Sequence, residues 1–225
     1  GSGKTTTLYA ALQQINQDSR NIMTIEDPVE YDLNGISQTA VNTQTGMTFA
    51  NGLRSILRQD PNVIMVGEIR DLETAKIAVQ ASLTGHLVFS TVHTNTAAGT
   101  ITRLQDMGVE PFLLSSGIIG VLAQRLVRKL CMECKQPDLL ANQSGAFEAV
   151  GCSQCQHTGY QGRVGIYELL EVTEDIKKLI HDGCSEQQLQ LQARKQHTSL
   201  HQHGLALVAQ GITSTDEVLR VSQES

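Results

Sequence analysis

Four uninterrupted apolar residues, Val63-Ile64-Met65-Val66, run into Gly67-Glu68-Ile69-Arg70-Asp71, and this unit of an apolar run closing on polar groups recurs through the first half of the chain. Short runs of this kind predict buried strands. Asn21 to Ile25 is another, closing on Glu26-Asp27-Pro28, and His86 to Val92 a third, closing on His93-Thr94-Asn95. Between them apolar residues fall at helical spacing. Leu8, Ala11, Leu12 and Ile15 mark a helix over Thr5 to Gln17, and Phe49, Leu53, Ile56 and Leu57 mark one over Phe49 to Gln59. Further helices are predicted over Leu72 to Leu83 and up to Met107-Gly108. Thr48 and Asp71 stand where helix N-caps belong. Val29 to Val41 is less regular, and Gly35 predicts a turn in a small antiparallel excursion. Strand and helix in alternation predict an α/β fold with parallel strands, each delivering polar groups to the same edge. In open sheets of this kind ligands sit at that edge.

The second half changes character. Glu110 to Leu130 is rich in Leu and Ile and reads as helical, ending in a basic stretch with Arg125, Arg128 and Lys129. Gln136 to Val150 reads as loop, and Gly159 to Arg163 as a turn leading into a strand at Val164 to Val172. The remainder predicts helices with start signals at Thr173, at Ser185 with Gln188, and at Ser214 with Glu217. Gly204 and Gly211 separate them. The expectation is a core over residues 1–109 and a smaller, mostly helical C-terminal lobe over residues 110–225.

Composition narrows the class. With 225 residues, 40% of them apolar and 18% charged, the chain can bury a sizeable core and reads as globular. A formal charge of −6 weighs against a nucleic-acid partner. No apolar run approaches the ~20 residues that span a bilayer. Four of the five cysteines form two C-x-x-C pairs, Cys131 with Cys134 and Cys152 with Cys155, separated by 17 residues, with Cys184 alone. That is the spacing of a tetrahedral zinc site in a reducing compartment rather than of a secreted disulfide framework. Four thiolates leave no open coordination position, so the metal's role is structural, closing a segment, 131–155, too poor in apolar residues to fold alone.

The chemistry concentrates at the start. Gly1-Ser2-Gly3-Lys4-Thr5-Thr6 runs straight into a helix and matches the second half of the phosphate-loop pattern G-x-x-x-x-G-K-[ST]. Backbone N–H groups at a helix start point at an anion, the Lys4 ammonium reaches terminal phosphates, and the Thr5 hydroxyl sits where Mg²⁺ is held. The chain thus reads as a piece of a longer protein, cut within its own nucleotide site. A Gly-Ser-Gly linker remnant would look the same over three residues, and the motifs downstream argue against it. Phosphoryl transfer also needs carboxylates to hold a metal and orient water. Glu26, Asp27, Glu30 and Glu68 all follow strands at the predicted ligand edge, and Glu68 is the candidate on the metal side. His86 and His93 flank one strand at odd spacing, which puts their rings on opposite faces. Each is either a structural hydrogen-bonder or a reporter of the γ-phosphate.

These residues carry a family resemblance. Thr24-Ile25-Glu26-Asp27-Pro28-Val29-Glu30-Tyr31, the stretch from Arg58-Gln59-Asp60-Pro61 to Asp71, and the stretch from Thr84-Gly85-His86 to Asn95 resemble the Asp box, Walker B and His box of the type II/type IV pilus secretion ATPases. The tetracysteine segment resembles that of the assembly-type members. Ala81 to His86, Gly108 to Leu114 and Gly120 to Arg128 are similar to the general secretory pathway protein E branch. The resemblance covers essentially the whole chain, with Gly67 where a Walker B aspartate usually stands and Val92 for a usual Leu. It implies a RecA-like P-loop ATP hydrolase acting as a homo-hexamer, cytoplasmic and peripheral to the inner membrane through secretion platform proteins. Its task would be pseudopilus assembly and protein export, with ATP, Mg²⁺ and Zn²⁺ as ligands. The type IV pilus assembly ATPases share the catalytic motifs, and an inactive zinc-stabilised fragment is the competing class. The resemblance makes Gly3, Lys4 and Thr5 phosphate and Mg²⁺ contacts, Glu30 the water-activating carboxylate, Glu68 the Walker B carboxylate, and His86 and His93 the His-box pair. It leaves open whether Arg54, Arg58 or arginines outside this sequence act in trans.

Overall fold

The computed structural model describes residues 2–138 and 145–222. The chain opens with α1 (Lys4–Ile15), followed by β1 (Ile22–Glu26), β2 (Ser37–Ala40), α2 (Phe49–Ile56), β3 (Val63–Val66), α3 (Leu72–Leu83), β4 (Leu87–Ser90) and α4 (Ala97–Asp106). The four strands form one parallel sheet in the order β2-β1-β3-β4. All four residues of β3 are buried, as its unbroken apolar run requires of a strand covered on both faces. Thr48 and Asp71 cap α2 and α3, their side chains accepting from Asn51 N–H and Thr74 N–H. The apolar faces of these helices bring Leu53 and Val79 into the main core with Ile25 and Ile64 of the sheet.

The excursion after β1 differs from the expectation. Gly35 does turn the chain, at φ 76°, but β2 then lies parallel to β1, Met23 opposite Ser37 and Glu26 opposite Ala40. Leu33 buries beside Ile22 and Tyr9, and this anchor carries the chain back to the start of β1 before β2 begins. The polar composition of β2, Ser-Gln-Thr-Ala, suits its place at the sheet's edge.

The segment predicted helical over Glu110 to Leu130 is a second correction. A short helix, α5 (Pro111–Gly117), gives way to an 11-residue strand, β5 (Gly120–Leu130). Gly117 and Gly120 weaken a helix, and Ile118, Ile119, Val121 and Val127 are β-branched and favour extended backbone. After the two-residue strands β6 (Gln136–Pro137) and β7 (Phe147–Glu148), β5 pairs antiparallel with β8 (Tyr160–Glu171), Gly120 opposite Glu171. The paired ladder selected the strand. Four helices follow: α6 (Glu174–His181), α7 (Glu186–Ala193), α8 (Leu200–Ala209) and α9 (Thr215–Ser222). Leu170, Ile176, Ile180 and Leu189 share the core that lies under the parallel sheet's helices. Among the described residues no helix is long and apolar enough to cross a membrane.

The start of α9 shows a capping box half made. Ser214 Oγ accepts from Glu217 N–H at 3.3 Å, but the Glu217 carboxylate turns inward. It is 1% exposed and receives the Arg128 N–H at 2.9 Å, the Arg128 guanidinium at 2.8 Å and the Arg220 guanidinium at 2.8 Å. Burial pushes its pKa up, and the two guanidiniums and the Arg128 N–H override that and hold it down at about 2. An unfolded glutamate titrates near about 4.3. This lowered value therefore stabilises the fold fully above that pH, and the contribution is lost as pH falls toward about 2. Glu217→Gln should cost on the order of 2–3 kcal/mol at pH 7. The gap between variant and wild type in urea unfolding should narrow on going from pH 5 to pH 2.

Candidate active site and metal centre

The C-terminal ends of β1, β3 and β4 meet the start of α1 around one cavity of about 150 Å³. Its wall includes Lys4, Thr5, Glu30, Gly67, Glu68 and His93. Lys4 and Thr5 arrive from the phosphate-loop stretch, Glu30 from the loop after β1, Glu68 from the turn after β3 and His93 from the loop after β4. A parallel sheet alone brings these three strand ends to one side. Ser2 and Gly3 precede α1 directly; Gly1 lies outside the described residues.

The charges inside are linked. Lys4 Nζ lies 3.5 Å from His93 Nδ1, and His93 Nε2 lies 3.5 Å from Glu68 Oε2. Arg70 donates to Glu68 Oε1. That hydrogen bond, with the charges of Arg70, His93 and Lys4, outweighs the cost of burial and holds the Glu68 carboxyl below the usual carboxylate range. Glu68 is therefore an anion at neutral pH. Burial pulls Lys4 below the usual ammonium range, Glu68 opposing the shift and Arg125 adding to it. Asp27, Glu30 and Glu68 on one wall would repel a polyphosphate, so such a ligand calls for a divalent cation between them. Thr5 and Glu68 offer it oxygen ligands of the hard type it prefers.

Glu26 and Glu30 separate clearly. Glu26 is buried, taking hydrogen bonds from Tyr9 Oη, Thr24 Oγ1 at 2.5 Å and Gln38 Nε2 at 3.1 Å. Glu26 also borders the cavity, but three of its acceptor sites are committed to donors within the fold. Tyr9 Oη in turn accepts from the Glu30 N–H at 3.3 Å, and desolvation together with the Glu26 bond pushes the phenol up to about 12, so it remains a donor. Through Tyr9, α1 fixes the backbone of Glu30 while leaving its carboxylate exposed at the cavity. The histidines separate too. His93 lines the cavity, whereas His86, before β4, sets Nδ1 3.0 Å from the Ala81 carbonyl and 3.2 Å from Thr84 Oγ1. His86 holds the turn from α3 into β4 and does not reach the cavity. Thr6 is exposed and is absent from the cavity wall. Sequence reasoning missed Tyr9 and Arg70. Arg70 left a signal, since its i, i+2 spacing from Glu68 sets both side chains on one side of an extended turn.

The four cysteines come together in one cluster with the spacing of a metal site. Their sulfurs all lie within 4.8 Å of one another, with Cys131 to Cys152 at 3.9 Å and Cys134 to Cys155 and Cys152 to Cys155 at 3.8 Å. Sulfurs about 2.3 Å from a tetrahedral zinc stand roughly 3.8 Å apart. N–H groups point at the sulfurs, Gly151 to Cys134 at 3.3 Å, and Cys152 and Gly159 to Cys155 at 3.2 Å. Against desolvation, those last two, with the hydrogen bonds of Cys134 and Cys152, hold the Cys155 thiol below the usual thiol range. Gly159 is at φ 75°, and a Cβ there would lie 2.6 Å from that of Ala149, so the close turn that presents its N–H admits glycine alone. Donor set, spacing and the N–H groups aimed at the sulfurs all fit Zn²⁺.

Over residues 1–220 the chain matches the profile of the family described as Type II/IV secretion system protein. The chain belongs to that family. Within it, the chain is 57% identical to the "Type II secretion system ATPase E" of Vibrio cholerae, all of the chain aligning with 47% of that protein. It is 56% identical to the "Type II secretion system protein HxcR" of Pseudomonas aeruginosa, again with all of the chain and 47% of the relative covered. The secretion-family chain therefore spans about half the length of these curated relatives. Among solved structures, the pilus retraction motor PilT with bound ADP superposes at a TM-score of 0.77 and 35% identity, over 99% of this chain and 58% of that one. The Legionella pneumophila ATPase DotB superposes at 0.74 and 23% identity, covering 100% and 58%, and shares the fold.

Proposed function

We propose that the protein is the ATP-hydrolysing part of a homo-hexameric motor that drives pseudopilus assembly and protein export in type II secretion. The observation that carries this is the convergence of Lys4, Thr5, Glu30, Glu68 and His93 on one cavity from four separate stretches of chain. Lys4 and the N–H groups at the start of α1 would grip the phosphates, and Thr5 and Glu68 would hold Mg²⁺. Held there, the ion would supply charge neutralisation of the phosphates and alignment for in-line attack. Glu30 accepts the proton of the attacking water as its oxygen bonds to the γ-phosphorus and the bond to the β-phosphate oxygen breaks, releasing ADP and phosphate. His93, between Lys4 and Glu68, reports which nucleotide is present to the loop that leads into α4. An arginine from a neighbouring subunit, Arg54 or Arg58 among the candidates, completes charge neutralisation. Contact with the inner membrane runs through platform proteins, from the cytoplasmic side.

The likeness to PilT favours a second reading, a type IV pilus motor. The type II names of the relatives at 56–57% identity weigh for the first. ATP turnover tests the enzyme reading against that of an inactive zinc-stabilised fragment. A chain as long as those relatives should hydrolyse ATP only with Mg²⁺, faster as it assembles, while residues 1–225 alone stay nearly silent. A full-length hexamer without Mg²⁺-dependent turnover would overturn it.

A further inference from the structure

Gln124 on β5 is 8% exposed, and both ends of its amide are engaged by the stretch that opens the chain. Its Nε2 donates to the Ser2 carbonyl at 2.9 Å and its Oε1 accepts from the Thr7 hydroxyl at 2.8 Å. A carbonyl only accepts, so its partners fix which way round the amide stands. The two contacts bracket Gly3-Lys4-Thr5-Thr6 from a strand more than a hundred residues distant. No residue of β5 lines the cavity itself.

We infer that Gln124 is a positioning residue for phosphate binding, holding the Ser2 carbonyl against β5 so that the Gly3 N–H faces away from β5 and is presented to the anion. A trans peptide unit carries its C=O and N–H on opposite sides, so fixing one aims the other. The unit flanked by glycine is the one that rotates most freely, because glycine accepts φ of either sign. Were it to invert, a carbonyl oxygen would face the phosphates where an N–H should, replacing attraction with repulsion. Gly3 stands at φ 81°, and a Cβ there would lie 2.9 Å from Gln124 Nε2. Glycine and glutamine are thus fitted to each other. The Thr7 contact adds a second anchor one turn into α1, where the Thr7 N–H already bonds the Gly3 carbonyl at 3.1 Å.

The inference rests on the nucleotide reading above, and its test separates the two. In the full-length protein, binding of fluorescent ADP and steady-state ATP turnover are compared for wild type, Gln124→Met, Gln124→Glu and Thr7→Ser. Methionine keeps length and bulk but loses both the donor to Ser2 and the acceptor for Thr7, and glutamate keeps the acceptor for Thr7 but loses the donor to Ser2. For both, the Kd for ADP and the KM for ATP should rise about tenfold or more, since the bond to the Ser2 carbonyl is lost in each. kcat should stay within about twofold, because ground state and transition state lose the same contact. Thr7→Ser, which keeps the hydroxyl, should behave as wild type. A side chain that merely supported the fold would lower kcat per mole of protein at unchanged KM. That outcome, or wild-type ADP binding in whichever Gln124 variant folds, overturns the inference. Absence of ADP binding in the wild type overturns the nucleotide reading and this inference with it, whereas wild-type binding with undisturbed Gln124 variants removes this inference alone.

Discussion

Replacing Cys131 and Cys134 by serine in the full-length protein is expected to remove one zinc per chain and to unfold the stretch from Leu130 to Tyr160. That stretch has little else to hold it. Its described residues supply few buried apolar groups, chiefly Leu130, Cys131, Ala146 and Cys155, and its ladder β6–β7 is two residues long. Structural zinc sites in small peptides bind with roughly 10–16 kcal/mol at pH 7, comparable with the whole stability of a domain, about 5–15 kcal/mol. The loss should extend beyond the knuckles. Leu130 N–H bonds the Ile212 carbonyl at 2.8 Å, and Lys135 Nζ the Gly211 carbonyl at 2.8 Å, so the segment anchors the turn between α8 and α9. Elemental analysis should fall from one zinc per chain to none, and limited proteolysis should cut between Leu130 and Tyr160. Unchanged zinc content would remove the metal centre from the account.

Three glutamates at one sheet edge should give three different phenotypes. Glu30→Gln should lower kcat by about 10²–10⁴, the usual contribution of a positioned general base, with the Kd for nucleotide nearly unchanged. Glu68→Gln should lower kcat and raise the Mg²⁺ concentration needed for half-maximal rate, because an anionic ligand of the cation is lost. Glu26→Gln should act on stability, since the Tyr9, Thr24 and Gln38 donors are matched to a buried carboxylate. Turnover, Mg²⁺ titration and thermal unfolding of the three variants distinguish these outcomes. Equal loss of stability and unaltered kcat in Glu30→Gln would return Glu30 to the solvated surface.

Much of this was legible in the sequence where local and tertiary signals agree. Val63 to Val66 is apolar throughout because β3 is covered on both faces, and Asp71 with Leu72 to Leu83 holds its own cap and apolar face, so strand and helix were found at their full extents. The cysteine spacing by itself foretells the four-sulfur cluster, because two C-x-x-C turns fold their thiols toward a common point. The order of Glu26 and Glu30 was not legible from spacing. It depends on Tyr9 and Gln38, which reach Glu26 from α1 and β2 and are placed only by folding. The stretch Gly120 to Leu130 was misread for a related reason: its partner Tyr160 to Glu171 lies thirty residues and more downstream, and Leu-rich sequence without that partner looks helical. Gln124 meets Ser2 and Thr7 only once this stretch is a strand, so its place is set by the same ladder. His86 and His93 lie seven residues apart in one motif, yet β4 puts them at opposite ends and only His93 at the cavity.

The most direct measurement is a structure of the full-length protein with Mg²⁺ and a non-hydrolysable ATP analogue. The triphosphate should lie across the start of α1 with its terminal phosphate between Lys4 and Glu68, the cation against Thr5, and the Glu30 carboxylate within one water of the γ-phosphorus. Nucleotide bound elsewhere, or Glu30 turned out of the cavity with the analogue in place, would contradict the account.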